Sequence, residues 1–170
     1  MQDTDLYREL VIKAEEKAET VIQKLKELSF TIAMAESCTA GLVTALLANI
    51  SGASAVLWGS YVCYTQDAKM SMLGLDSGGI SVHGSVSEET AYKMAKAALE
   101  KSGADIAVSV TGLAGPDGDG SIVPVGTVWI ATGLKNEGIE TKKFFFKGSR
   151  NDVRFLAAIA ALEMVLETLT

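Results

Sequence analysis

Ser37 stands in the run Met34-Ala35-Glu36-Ser37-Cys38-Thr39-Ala40-Gly41-Leu42. An apolar stretch, Phe30 to Ala35, enters this run, and a stretch rich in Ala and Leu, Leu42 to Ile50, leaves it. The pattern reads as a strand, a sharp turn and a helix. The first amides of a helix have no intrahelical partner, so they can hold an anion or a developing oxyanion. A hydroxyl at such a junction is a candidate nucleophile. Thr39 and Gly41, on the same turn, are candidate contacts for whatever binds there. Glu36 is expected to point to the opposite side and to fix the turn rather than to move protons.

A nucleophilic serine needs a base. A Ser-His-Asp triad would have to run through His83, the single histidine. His83 lies in a polar loop just before a helix, where a structural hydrogen bond explains it better. Lys69 is the better candidate. The run from Tyr64 to Lys69 sits where a strand passes into a helix, so both side chains can face one pocket. A lysine ammonium ordinarily has a pKa of about 10.4. Burial beside a tyrosine hydroxyl, away from carboxylates, lowers it, and the neutral amine can then take the proton of Ser37. The plain alternative for Lys69 is a solvated helix residue.

A second loop, from Thr111 to Ser121, follows a strand directly. Its run Gly112-Leu113-Ala114-Gly115-Pro116-Asp117-Gly118 has the wrong spacing for a dinucleotide fingerprint, and the chain holds no Walker A sequence. Its glycines let backbone amides approach a bound group. Thr111 and Gly112 are therefore candidate substrate contacts, set against a flexible surface loop. Arg150, at the start of the last helix, can pair with a phosphate. A surface arginine is its plain alternative.

The elements that must position these residues follow from periodicity. Residues 4 to 28 carry apolar side chains at helical spacing, with Asp3 or Thr4 as the cap. This reads as a core-packing helix, with a homodimer contact as the sharper alternative. Strands are expected over 30–35, 55–64, 106–110, 125–131 and 141–147. Helices follow Ser37, span 66–73 and about 87–101, and open at Ser149 to Asp152. Residues 76–85 read as a loop, with Ser85 or Ser87 capping the helix behind it. Strands alternating with helices predict a layered α/β domain. The late strand pair adds an antiparallel part to a mixed sheet.

Composition bounds the rest. The 170 residues fit one domain, 1–170, and can bury roughly 70% of the unfolded surface without a metal or disulfide. A hydrophobic content of 48% excludes a disordered chain. The net charge of −6 argues against general nucleic-acid binding, although one phosphate can still be held locally. Cys38 and Cys63 lack metal-ligand spacing and read as reduced core residues, so no metal is expected. The polar, acidic N-terminus lacks the parts of a signal peptide, and no apolar run reaches the roughly 18 residues of a membrane span. A soluble, cytoplasmic protein is expected.

Several segments together resemble one family, the CinA C-terminal domain: Ala35 to Leu42, Tyr64 to Lys69, His83 to Glu89, Val110 to Pro116 and Pro124 to Val128. The resemblance covers about residues 10 to 168 in the family's order and spacing. It implies a three-layer α/β/α sandwich with a mixed central sheet. It also implies hydrolysis of the carboxamide of nicotinamide mononucleotide to nicotinate mononucleotide and ammonia, in pyridine-nucleotide salvage. A serine nucleophile matching Ser37, a lysine matching Lys69 with Tyr64 beside it, a threonine matching Thr111, and no metal or cofactor come with it. The chain departs at Ala40, where the family usually has glycine. It departs also at Val123, where a lysine often precedes Pro-Val-Gly, and at Ser149, where aspartate is common. The separate N-terminal domain of longer members is expected to be absent. The implied partner is a small nucleotide substrate, and a second copy of the chain is the expected oligomeric partner. Two other readings are a non-catalytic nucleotide-binding or regulatory module, and an amidase acting on another small amide.

Overall fold

Residues 2–170 are described by a computed structural model, with side chains from residue 5 onward. The caps expected at Asp3 or Thr4 lie outside the described side chains. In chain order the elements are α1 (Gln2–Leu28), β1 (Ile32–Glu36), α2 (Leu42–Ala48), β2 (Leu57–Val62), α3 (Gln66–Leu73), α4 (Ser77–His83), α5 (Glu88–Ser102), β3 (Ile106–Gly112), β4 (Thr127–Leu134), β5 (Ile139–Phe145) and α6 (Arg150–Thr168). A single 3-10 turn, Ala53–Ala55, precedes β2.

The strands form one mixed sheet in the order β2-β1-β3-β4-β5. The first three are mutually parallel, and β4 and β5 run antiparallel beyond them. β1 and β3 are buried along nearly their whole length because helices cover both faces. α2 and α6 pack on one face, and α1 lies across both of them. α3, α4 and α5 form the layer on the other face. The result is the three-layer α/β/α sandwich with a mixed central sheet.

α1 buries Ala14, Ala18, Val21, Ile22 and Leu25 in the main core, as its apolar stripe requires. The stretch 76–85 is not all loop. Asp76 accepts from the amides of Gly78 and Gly79, caps α4, and turns a glycine-dense run helical. Of the two expected starts for α5, Ser87 is the cap, accepting from the Thr90 amide. Ser149 and Asp152 form a reciprocal capping box at the start of α6, which fixes where Arg150 enters the fold.

Candidate active site

β1 stays paired on both sides to its last residue: Glu36 lies opposite Val62 of β2 and Val110 of β3. Ser37 comes next, and its amide still donates to the Val110 carbonyl at 2.9 Å. The serine therefore stands at the carboxyl edge of three parallel strands. The connections from β1 to β2 and from β2 to β3 leave on opposite sides of β1, and open α/β sheets bind ligands at such a point.

Successive residues leaving a strand point to opposite faces. Glu36 points towards α2 and is fully buried. Its carboxylate accepts from the amides of Val43 at 3.2 Å and Thr44 at 2.9 Å, and from the Thr44 hydroxyl at 2.5 Å. Gly41, the N-cap residue, has no side chain to do this. Glu36 thus caps α2 from the preceding strand, as a residue fixing the turn should. The same bonds change one expectation: the first helical amides are already taken and cannot serve an oxyanion. Among the described residues, the amides next to Ser37 that donate to no acceptor are those of Cys38 and Thr39.

Between Ser37 and α2 the backbone takes two consecutive left-handed residues, Ala40 at φ 50° and Gly41 at φ 89°. Glycine is at ease there, whereas an alanine pays about 1–2 kcal/mol. The departure at Ala40 keeps the left-handed turn and stores strain in it.

Lys69 lies on the first turns of α3, whose N-cap Thr65 accepts from the Ala68 amide at 3.1 Å. The lysine is only 1% exposed. Its Nζ donates to Ser37 Oγ at 2.9 Å and to the Cys63 carbonyl at 3.3 Å, its only polar partners among the described residues. Burial holds its pKa below the ordinary lysine value, and the nearby Cys63 and Cys38 act weakly the other way. Burial pushes the Cys63 thiol up to about 11 and the Cys38 thiol up to about 12. Both are neutral thiols at pH 7, so neither holds the proton on Lys69.

Tyr64 does not play the expected part. Its ring is half exposed, and its hydroxyl accepts from Arg150 Nη2 at 2.5 Å instead of facing Lys69. The Tyr64 carbonyl, not the phenol, lies 3.5 Å from Ser37 Oγ. Strand β2 ends just before, so the main chain of residues 63 and 64 positions the Ser–Lys pair while the ring forms pocket wall. Arg150 Nη1 donates to the Gly115 carbonyl at 2.6 Å and ties the second loop to that wall.

A cleft of about 330 Å³ opens over Ser37, lined also by Tyr64, Thr111, Gly112, Gly115 and Arg150. That volume is at the small end of ligand sites. The Thr111 hydroxyl donates to the Ser85 carbonyl at 2.8 Å. Gly112 answers to packing: a Cβ there would stand 2.7 Å from Val128 Cγ2 and 2.8 Å from the Thr127 carbonyl oxygen. Thr39 and Gly41 lie behind the cleft rather than in its lining. Thr39 is fully buried with its hydroxyl unpartnered, and Gly41 faces Val62. Both shape the turn. His83 ends α4 beside Ser87 and Tyr92 around a different hollow, away from Ser37.

Three residues escaped the sequence reading. Asp117 and Asp119 line the cleft from the glycine-rich loop. Arg154 reaches the Ser37 turn: Nε donates to the Cys38 carbonyl at 3.2 Å and Nη2 to the Thr39 carbonyl at 2.9 Å. One signal was available, since Arg154 follows Arg150 by four and shares its helix face.

The family model for the CinA C-terminal domain matches residues 14–169. The chain is 40% identical over 142 residues to the nicotinamide-nucleotide amidohydrolase PncC of Enterobacter agglomerans, covering 84% of this chain and 87% of that protein. It is 41% identical over 152 residues to a CinA-like protein of Thermotoga maritima, covering 89% of this chain but 37% of the relative. The chain thus spans little more than a third of the length of such relatives. Among solved structures, the competence/damage inducible protein CihA of Agrobacterium tumefaciens matches with a TM-score of 0.89 at 38% identity. That match covers 93% of this chain and 96% of that one.

Proposed function

Because the chain belongs to the CinA C-terminal domain family, we propose that it is an amidohydrolase converting nicotinamide mononucleotide to nicotinate mononucleotide and ammonia. The observation that carries this reading is the 2.9 Å contact between Lys69 Nζ and Ser37 Oγ, made by a lysine with 1% exposure. The substrate comes from the name of the PncC relative. The cleft over Ser37 and the guanidinium of Arg150 at its wall suit a small anionic nucleotide.

With Lys69 neutral, the Ser37 hydroxyl gives its proton to Nζ as Oγ bonds to the carboxamide carbon. The carbonyl electron pair moves onto oxygen, next to the free amide of Cys38, which lines the cleft. Collapse of this intermediate breaks the carbon–nitrogen bond, and the Lys69 ammonium protonates the leaving nitrogen, which departs as ammonia. Water then adds to the Ser37 ester and gives its proton to Lys69. A second collapse returns that proton to Ser37 and releases the acid. One amide and one water become one acid and one ammonia.

The exposed Leu6 and Ile12 on α1 support the homodimer contact. Among the described residues, no helix is long and apolar enough to cross a membrane. The decisive experiment is ammonia release from nicotinamide mononucleotide by wild type and Ser37→Ala. Loss of at least a thousandfold in the variant is expected. Equal rates in both would remove the nucleophile assignment, and mononucleotide binding without ammonia would favour the non-catalytic module.

A further inference from the structure

The same carboxamide occurs on neutral nicotinamide, on neutral dihydronicotinamide and on the cationic N-alkylated pyridinium ring of the mononucleotide. A Ser–Lys pair alone does not tell these apart. The walls around it do differ in how they meet a positive charge. Tyr64 lines the cleft and is 51% exposed. Its ring is held by the edge, where the hydroxyl accepts from Arg150 Nη2. Among the described residues the ring pairs with no other aromatic side chain, and no cation stands over it; the cation–π contact present joins Lys143 to Trp129. A phenol pinned at its edge keeps a bare face, and that face carries the negative side of the ring quadrupole. The Tyr64 carbonyl lies 3.5 Å from Ser37 Oγ, so the ring and the nucleophile belong to one wall of the cleft.

The charged side chains that line the cleft are Asp117, Asp119 and Arg150. Arg150 is already spent on two neutral acceptors, the Tyr64 hydroxyl and the Gly115 carbonyl. Asp119 accepts from the Ser121 amide at 3.0 Å, and its bonds with Ser121 hold its pKa below the ordinary value. Among the described residues no hydrogen bond or ion pair engages the Asp117 carboxylate. In the neutral form that the reaction needs, Lys69 adds no opposing charge. Two carboxylates against one guanidinium leave the lining net negative. From this arrangement we infer that the cleft selects its substrate by charge: the face of Tyr64, backed by the carboxylates of Asp117 and Asp119, takes a cationic N-alkylpyridinium ring and rejects neutral nicotinamide. The choice of a pyridinium rests on the amidohydrolase reading above. The phosphate of the mononucleotide falls to Arg150 at the edge of the phenol, so the two charges of the substrate meet opposite partners.

The probes are 1-methylnicotinamide, a cation without ribose or phosphate, and nicotinamide, its neutral counterpart. Ser37→Ala removes turnover, and NMR titration of that parent variant gives both dissociation constants. The cation should bind about five- to thirtyfold tighter. The extra methyl group adds to this ratio, so the ratio is compared across variants in the same parent, with thermal unfolding of each. Tyr64→Phe keeps the ring and should hold the ratio within about twofold, whereas Tyr64→Leu should cut it about threefold or more. Asp117→Asn combined with Asp119→Asn should also cut it, with nicotinamide affinity unchanged; a merely structural role would weaken both probes alike. Equal binding of the two probes by the parent, or no binding of the cation, would overturn the inference. So would an unchanged ratio in Tyr64→Leu or in the double asparagine variant, or a ratio lost in Tyr64→Phe. Should Tyr64→Leu not fold, the double asparagine variant decides by the same criterion. Ammonia release from nicotinamide mononucleotide by wild type is scored separately. Selective binding without ammonia removes the amidohydrolase reading and leaves the charge selection standing, and ammonia without selective binding removes the charge selection alone.

Discussion

Replacing Lys69 by methionine should make the protein more stable and inactive, and the gain should depend on pH. Lys69 is fully enclosed, and burial holds its pKa below the ordinary value of 10.5. In the unfolded chain the amine binds its proton up to that ordinary value. Between the depressed native pKa and 10.5 the unfolded state therefore binds more protons, so wild-type stability rises with pH through this window. Below the native pKa the whole penalty is present, and above 10.5 it is gone. Methionine fills much the same volume with no charge to desolvate. Ser37 Oγ keeps a carbonyl acceptor 3.5 Å away at Tyr64, while the Cys63 carbonyl loses a donor. Relieving a destabilised active site without breaking packing yields about 0.5–2 kcal/mol. For a domain of this size that is a rise in Tm of about 1–8 °C near neutral pH. Thermal unfolding of wild type and Lys69→Met from pH 6 to pH 10.5 measures the difference. The Met variant's advantage should be largest at the acid end and shrink towards pH 10.5, with no ammonia released at any pH. An advantage that stays constant with pH, or a Met variant less stable than wild type at pH 7, would refute the claim that burial keeps this amine short of its proton.

Three other outcomes test separate parts of the site. Glu36→Gln keeps the shape but weakens charge-assisted bonds to the Val43 and Thr44 amides and the Thr44 hydroxyl, so denaturant unfolding should show a loss of about 1–3 kcal/mol. An unchanged midpoint would show that the carboxylate does not hold the turn. Tyr64→Phe removes only the acceptor of Arg150, so it should raise KM several-fold and leave kcat within about threefold; a collapse in kcat would return the phenol to the chemistry. Ala40→Gly should relieve left-handed strain of about 1–2 kcal/mol, less glycine's extra entropy of roughly 0.5–1 kcal/mol in the unfolded chain. A net gain of about 0–1.5 kcal/mol in thermal or denaturant unfolding is expected, and any loss would contradict it.

What was legible in the sequence was local. The strand–Ser–helix junction, the cap at Ser87 and the opening of the last helix at Ser149 are written in short patterns. The pairing of Ser37 with Lys69 was reachable because both flank strand ends. What was not legible depended on direction or distance. The Asp76 cap on α4 was hidden by three glycines within seven residues, which read as loop until the carboxylate is seen holding two amides. The tyrosine was placed beside the lysine by its position near the strand end. The sequence could not show that Arg150, far along the chain, would draw the phenol outward. Arg154 was missed because its carbonyl partners lie at the other end of the chain, and carbonyls carry no residue signature.

The alternation along β1 also explains how a carboxylate can sit next to the nucleophile without spoiling the base. At about 4 Å, and with an effective dielectric near 20, a carboxylate would favour the lysine ammonium by about 4 kcal/mol. That is enough to offset much of the burial that lowers the Lys69 pKa. Glu36 is one residue from Ser37, yet it faces α2 while Ser37 faces Lys69, and four donors take up the carboxylate there. The influences on Lys69 are burial and two thiols, with no carboxylate among them. A register slip of one residue in β1 would exchange the two faces, putting Glu36 against Lys69 and Ser37 against α2. The parallel pairing of Glu36 with both Val62 and Val110 forbids that slip. The central position of β1 in the sheet therefore does chemical work: it keeps the charge that holds the turn apart from the amine that must lose its proton.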